Sequence, residues 1–134
     1  MVERIGVETL RRLKNGKLSE NATCIVKFYS QECHLCHALK DYYQDLAESY
    51  KDDSKNLFFF AFNVDDVEGN LDKIIKINGV PTIASFRGGP SRNIKIRVLG
   101  DPEKPNEKTW YYIKDIRKFI ESSIWYKKLK NTLT

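Results

Sequence analysis

Two cysteines separated by two residues, Cys33 and Cys36, lie between an apolar, β-rich run and a helical pattern. The run 24–29 is rich in β-branched and aromatic residues, and residues 34–50 carry leucines and tyrosines at helical spacing. A pair at this spacing can close a small disulfide ring. The first cysteine also begins a helix, where free backbone N–H groups and the helix dipole favour a thiolate. The pattern therefore predicts an α/β unit that presents a reactive dithiol.

The rest of the chain alternates helical and strand patterns without repeats. The predicted elements are a helix over 3–15, a buried strand over 23–30, a helix over 34–50, a strand over 57–64, a helix from Asp65 or Asp66 to about Ile77, strands over 82–87 and 93–99 joined by a glycine-rich turn, and a helix from Trp110 to about Lys130. A short first strand within 2–7 is a weaker signal. The phenylalanine-rich run over 57–64 is predicted to be a central core strand covered on both faces. This order predicts an α/β layer protein.

Length and composition narrow the class of protein. A chain of 134 residues suits one domain with a real core. No apolar stretch approaches the roughly 20 residues that span a bilayer, and the N-terminus does not read as a secretory signal. We therefore expect a cytoplasmic protein without membrane contact. The net charge of +5 is too mild to indicate nucleic acid. Three cysteines are an odd number, and in a reducing compartment a C-x-x-C pair favours catalysis or metal binding over a structural disulfide.

Three segments together resemble the thioredoxin superfamily. They are residues 25–36, which resemble its strand, loop and C-x-x-C; residues 62–65, which resemble the end of its central strand; and Gly79-Val80-Pro81-Thr82, which resembles its cis-proline loop. The resemblance implies a single thioredoxin-like domain over 1–134, with its core at about 7–124 and a helical extension over 125–134. The implied fold is α/β: a central mixed sheet, with parallel strands and a C-terminal antiparallel hairpin, flanked by helices on both faces.

The resemblance also implies roles for individual residues. Cys33 would be the attacking thiol and Cys36 the buried resolving thiol. Pro81 would be the cis-proline that faces the disulfide, and Val80 would pair with an extended substrate strand. The implied activity is thiol–disulfide exchange in cell redox homeostasis, with no cofactor and no metal. The implied partners are disulfide-containing protein substrates and an electron donor, either thioredoxin reductase or the glutathione system. We expect a monomer.

Four positions depart from the family pattern or tune it. Glu32 replaces the common tryptophan, and an acid beside Cys33 opposes thiolate formation. His34 and Leu35 replace the common Gly-Pro between the cysteines, and a protonated His34 would stabilise the thiolate. Lys27 occupies the position of a buried acid that serves as a proton relay. A buried lysine has a lowered pKa and could be a relay when neutral, or could stabilise a thiolate when charged. A lysine that snorkels at a sheet edge is the alternative.

The lack of a secretory signal favours a protein-disulfide reductase that takes part in electron transport, while His34 favours a less reducing pair and Glu32 the opposite. A disulfide isomerase or oxidase differs only in reduction potential and stays open as an alternative. A second alternative is a protein-binding scaffold or assembly subunit with a secondary dithiol, whose extended final helix would be the surface to test. Two weaker readings remain: Cys33 to His37 matches the C-x-x-C-H haem attachment pattern, and the same cysteines and histidines could in principle bind zinc.

Overall fold

The computed structural model describes residues 2–51 and 56–133, and for residues 125–133 it describes only the course of the backbone. The elements are β1 (Val2–Arg4), α1 (Val7–Lys14), β2 (Thr23–Tyr29), α2 (His34–Ser49), β3 (Leu57–Asn63), β4 (Thr82–Gly88), β5 (Ile94–Val98) and α3 (Ile113–Leu133). The strands form one sheet in the order β1-β3-β2-β4-β5. β1, β3 and β2 are parallel, whereas β4 and β5 are antiparallel to their neighbours. The mixed sheet and the C-terminal hairpin were both predicted from the sequence.

Helices cover both faces of this sheet, as expected. On one face α2 and α3 pack a core cluster against the sheet, whose fully buried members include Ile25, Leu39, Tyr43, Ile83, Ile116 and Ile120. On the other face α1 and the segment after β3 pack a second cluster, which includes Leu10, Val26, Phe28, Phe62, Ile74 and Phe86. Burial of these apolar side chains is the main stabilising contribution to the fold. The β2 strand is covered on both faces and so becomes the most buried part of the sheet.

The predicted helix from Asp65 to Ile77 is wrong. The structure has two single 3₁₀ turns there instead, Val64–Asp66 and Leu71–Lys73. Gly69 lies between them with φ of +96°, a left-handed conformation that interrupts a right-handed helix. The Asn63 and Asn70 side chains each accept a backbone N–H two residues later and start a new turn. Ile74 and Ile75 are nevertheless buried, so the apolar spacing indicated burial rather than a helix.

The run 57–64 does form a strand, but β3 is not the central one, because it lies between β1 and β2. Phe58 was predicted to be core and is 45% exposed. The three residues of β1 pair with Phe59, Phe60 and Ala61, and no other described residue pairs with β3 on that side. The N-terminal prediction also changes: residues 2–4 form a strand, and helix α1 begins only at Val7.

The final helix begins at Ile113 rather than Trp110. Trp110 has φ of +66°, and its backbone pairs with that of Asn106, so it cannot take part in a helix. The backbone of α3 continues to Leu133, but the side chains from residue 125 onward lie outside the described residues. The suggestion that the tail forms a binding surface therefore stays a prediction.

Candidate active site

The two cysteines lie where β2 passes into α2. Cys33 is the N-cap of α2, and its Sγ accepts the backbone N–H of Cys36 at 3.1 Å. The two residues form a disulfide, with their Cα atoms 5.2 Å apart. Cys33 is half-buried, whereas Cys36 is only 1% exposed. A reagent arriving from solvent therefore meets the Cys33 sulfur first. A thiolate formed there would accept the same N–H and would lie at the positive end of the helix dipole.

The loop before Cys33 is attached to the end of β3 by hydrogen bonds. The backbone N–H of Gln31 donates to a carboxylate oxygen of Asp65 at 3.3 Å. The carbonyl oxygen of Gln31 accepts a hydrogen bond from Nε2 of His37, in the first turn of α2. These contacts fix the loop between the strand ends and the helix that carries the dithiol. The sequence indicated that residues 62–65 end a strand, but it gave no sign that Asp65 and His37 would share Gln31.

The residues around the cysteines differ in exposure. Glu32 and His34 are exposed and Leu35 is half-buried. Glu32 and His34 are the chain neighbours of Cys33, and Leu35 follows His34 between the two cysteines. Cys24, in contrast, is buried in β2 at 2% exposure. Burial raises the pKa of its thiol to about 12, so Cys24 is not a nucleophile at neutral pH.

The loop containing Val80 and Pro81 lies at the same end of the sheet as the dithiol. β4 runs antiparallel to β2 with Thr82 opposite Phe28, which places the residues before Thr82 beside the end of β2. The Val80–Pro81 peptide bond is cis. Val80 is half-buried and Pro81 is buried, and the hydroxyl of Thr82 donates to the carbonyl of Gly79. The loop that contains Pro81 and the loop that contains Cys33 therefore lie at the same end of the sheet.

Lys27 lies inside the protein beneath the dithiol, with a side chain only 4% exposed. It belongs to β2, the middle strand of the sheet, so a lysine that snorkels at a sheet edge is the wrong interpretation. Its ammonium lies 5.3 Å from the centre of the Tyr43 ring and 5.5 Å from that of Tyr29. Burial lowers the pKa of Lys27 to about 8; the nearby charge of Lys40 lowers it further, and that of Asp41 raises it.

Lys27 and the buried Cys36 line one cavity of about 380 Å³ between β1, β2, β3 and α2. The cavity is also lined by Arg4, Tyr29, Gln31, His37, Lys40 and Gln44. Helical spacing could have placed Lys40 near Cys36, because the two residues are four apart. No local signal could have placed Arg4 there, because its position depends on the pairing of β1 with β3.

Among residues 2–51 and 56–133 no group of three His, Cys, Asp or Glu side chains could hold a metal ion. In the same part of the chain no helix has the length and apolar character needed to cross a bilayer.

Comparison with known proteins agrees with this site. The thioredoxin family matches residues 10–104. A protein of Schizosaccharomyces pombe, named provisionally as a protein disulfide-isomerase, is 32% identical to the chain over 84 residues. That alignment covers 63% of this chain but only 16% of the relative. The fold, the disulfide and these similarities support thiol–disulfide oxidoreductase chemistry in general, without indicating its direction.

The family assignment rests on agreement between independent features. The family matches more than half of the chain. The sheet combines parallel and antiparallel strands, and a C-x-x-C disulfide lies at the start of the helix that follows β2. The chain therefore belongs to the thioredoxin family.

Proposed function

We propose that this protein reduces disulfide bonds in protein substrates, with Cys33 as the nucleophile and Cys36 as the resolving thiol. The observation that carries the proposal is the difference in exposure within one disulfide: Cys33 is half-buried at a helix N-terminus, and Cys36 is buried behind it. Only the outer sulfur can meet a large substrate, and the inner sulfur can reach only its partner. This asymmetry is what a two-step exchange requires.

The reaction begins from the reduced dithiol. The Cys33 thiolate attacks one sulfur of a substrate disulfide, forms a mixed disulfide and releases the other substrate sulfur as a thiolate. The Cys36 thiolate then attacks Cys33 Sγ, which closes the Cys33–Cys36 disulfide and releases the second substrate thiolate. The substrate gains two electrons and the protein loses them, so an electron donor must reduce the pair again.

Lys27 handles the proton of Cys36 in this proposal. With a pKa of about 8, Lys27 is mostly charged at pH 7 and has a neutral fraction that grows as the pH rises. The neutral amine can accept the Cys36 proton before the second step, and the resulting ammonium stabilises the thiolate across the shared cavity. A lysine therefore takes the place of the acid that the family resemblance implies here.

We assign substrate binding to the end of the sheet where the Pro81 loop lies beside Cys33. The half-buried Val80 offers its backbone to an extended substrate segment, and Pro81 shapes the loop next to the disulfide. Glu32 and His34 are exposed on the rim and tune both the outer sulfur and the contact surface. An acid at position 32 disfavours substrates that carry negative charge next to their disulfide.

The cellular setting is also part of the proposal. A reductase needs a reducing compartment, so we place the protein in the cytoplasm, where thioredoxin reductase or the glutathione pool can supply electrons. It acts as a monomer, without a cofactor, in electron transport to protein disulfides.

The test is reduction of a protein disulfide with dithiothreitol as the electron donor. We expect the wild type to accelerate reduction, Cys33→Ser to abolish the acceleration and Cys36→Ser to lose most of it, because its mixed disulfide must wait for dithiothreitol to cleave it. Cys24→Ala is the matched control, because it removes the third, buried cysteine and should leave the rate unchanged. Full activity of the double variant Cys33→Ser, Cys36→Ser in the cell would instead identify a binding scaffold.

Disulfide isomerisation is the second candidate. The Schizosaccharomyces pombe relative carries the name of an isomerase, and an exposed His34 between the cysteines favours a less reducing pair. An isomerase would rearrange scrambled disulfides in a substrate faster than it reduces them. Recovery of activity from a scrambled disulfide protein, measured beside its net reduction, separates the two functions.

A further inference from the structure

The cavity beneath Cys36 has a strongly positive lining. Among the described residues that line it, Arg4, Lys27 and Lys40 are cationic and none is acidic. Its other polar groups include the side chains of Tyr29 and Gln44, which can donate hydrogen bonds. A volume of about 380 Å³ is within the range of small-ligand sites.

Carboxylates near the cavity compensate this charge only in part. Both carboxylate oxygens of Asp66 accept hydrogen bonds from Arg4, at 2.9 and 3.1 Å. The charge of Asp41 raises the pKa of Lys27, but by less than the charge of Lys40 lowers it. Within the described residues Lys27 has no hydrogen bond or ion pair to an acid, and its ammonium lies against the rings of Tyr29 and Tyr43.

A buried ammonium without a counter-ion is costly, because desolvation is not repaid by a nearby negative charge. An anion in the cavity would supply that counter-ion and would receive charge-assisted hydrogen bonds from Lys27 and Lys40. Arg4, which lines the same cavity and is paired with Asp66, would add a third cation. Because the three cations lie on β1, β2 and α2 around one cavity of about 380 Å³, a compact ligand suits them better than an extended one.

We propose that this cavity is a binding site for a compact oxyanion, such as phosphate, sulfate or a small carboxylate, held by Lys27, Lys40 and Arg4 next to the buried sulfur. An occupant would keep Lys27 charged and so remove the neutral amine that accepts the Cys36 proton. The oxyanion would thereby slow the resolving step. The binding site stands by itself, whereas this regulatory effect rests on the proposed function.

The experiment is a titration of the ¹⁵N-labelled, oxidised protein at pH 7 with sodium phosphate, sulfate or acetate, each against sodium chloride at equal ionic strength. We expect saturable shifts at the backbone signals of Lys27, Cys36 and Lys40. Loss of one charge-assisted hydrogen bond should weaken binding about tenfold or more in Lys27→Met and in Lys40→Met. Lys118→Met is the matched control on α3 and should bind like the wild type. Acetate binding alone would identify a carboxylate site, and phosphate or sulfate binding a tetrahedral oxyanion site.

Three results would overturn the inference: shifts that never saturate, shifts equal to those in chloride, or affinity unchanged in both variants. Lys40 is exposed, so Lys40→Met keeps the test valid even if Lys27→Met fails to fold. Disulfide reduction measured in the same buffers separates this inference from the proposed function. Exchange without anion binding refutes only the cavity site, and saturable binding without exchange refutes only the reductase.

Discussion

Replacement of Lys27 by methionine should make the protein more stable at neutral pH. Lys27 is 4% exposed, and methionine is an unbranched apolar side chain that can follow much of the same path. The variant removes the buried charge while keeping most of the contacts in the shared cavity. Such a gain would be unusual for a core substitution, because most of these destabilise.

The magnitude follows from the pKa of Lys27, which is 10.5 in an unperturbed lysine and about 8 here. At about 1.4 kcal/mol per pKa unit, the charged form costs the folded state roughly 3 kcal/mol at pH 7. Imperfect packing of methionine in place of the lysine side chain should offset roughly 1–2 kcal/mol of this gain. We therefore expect Lys27→Met to raise the free energy of unfolding by about 1–2 kcal/mol at pH 7.

The stability gained by Lys27→Met should depend on pH. Because folding lowers the pKa of Lys27, the unfolded state binds more protons than the folded state between about pH 8 and 10.5. The stability of the wild type therefore gains from this group as the pH rises through that window, and the cost is fully present below it. The advantage of Lys27→Met should be largest at pH 7 and should shrink by pH 10.

The assay is urea unfolding of the oxidised proteins at pH 7 and pH 10, so that the active-site thiols do not titrate. Buried groups such as Tyr43 and Cys24 also respond to high pH, but they are common to both proteins and cancel in the difference. Lys118→Met, at an exposed site, should change stability little at either pH. If Lys27→Met is no more stable than the wild type at pH 7, or if its advantage is the same at both pH values, the assigned buried charge is wrong.

Two further predictions concern the dithiol and the packing of the sheet. Cys36→Ser should accumulate a mixed disulfide with a protein substrate through Cys33, visible on a non-reducing gel; trapping that persists when Cys33 is also changed to serine would contradict the assigned roles. Gly88→Ala should destabilise the protein by roughly 1–3 kcal/mol, because the added Cβ would lie 2.2 Å from the backbone oxygen of Ser19. Gly100→Ala, at a site with open space, is the control, and equal urea midpoints for the two variants would refute this reasoning.

The parts of the fold that could be predicted from the sequence depend on local patterns. The strand before Cys33, the helix after it and the C-terminal hairpin each carry their own apolar spacing or turn residues, and each is present in the structure. The helix predicted over 65–77 was wrong for a local reason. Ile74 and Ile75 have the spacing of a helix face, but Gly69 adopts a left-handed conformation that apolar spacing does not indicate.

The candidate site could likewise be predicted only where it depends on neighbouring elements of the chain. The positions of Cys33, Cys36 and the buried Lys27 follow from one strand and one helix that are consecutive in the chain. The cavity around Lys27 was not predictable, because Arg4 reaches it only through the pairing of β1 with β3, about which local sequence carries no information.

The reduction potential of the Cys33–Cys36 pair tests the central claim most directly. It is measured by equilibrating the protein with defined ratios of reduced and oxidised dithiothreitol or glutathione and counting the free thiols. A reductase should give a value near about −270 mV, and a value near about −180 mV or above would instead support an isomerase or oxidase. If no Cys33–Cys36 disulfide forms at any potential, thiol–disulfide exchange is not the function of this protein.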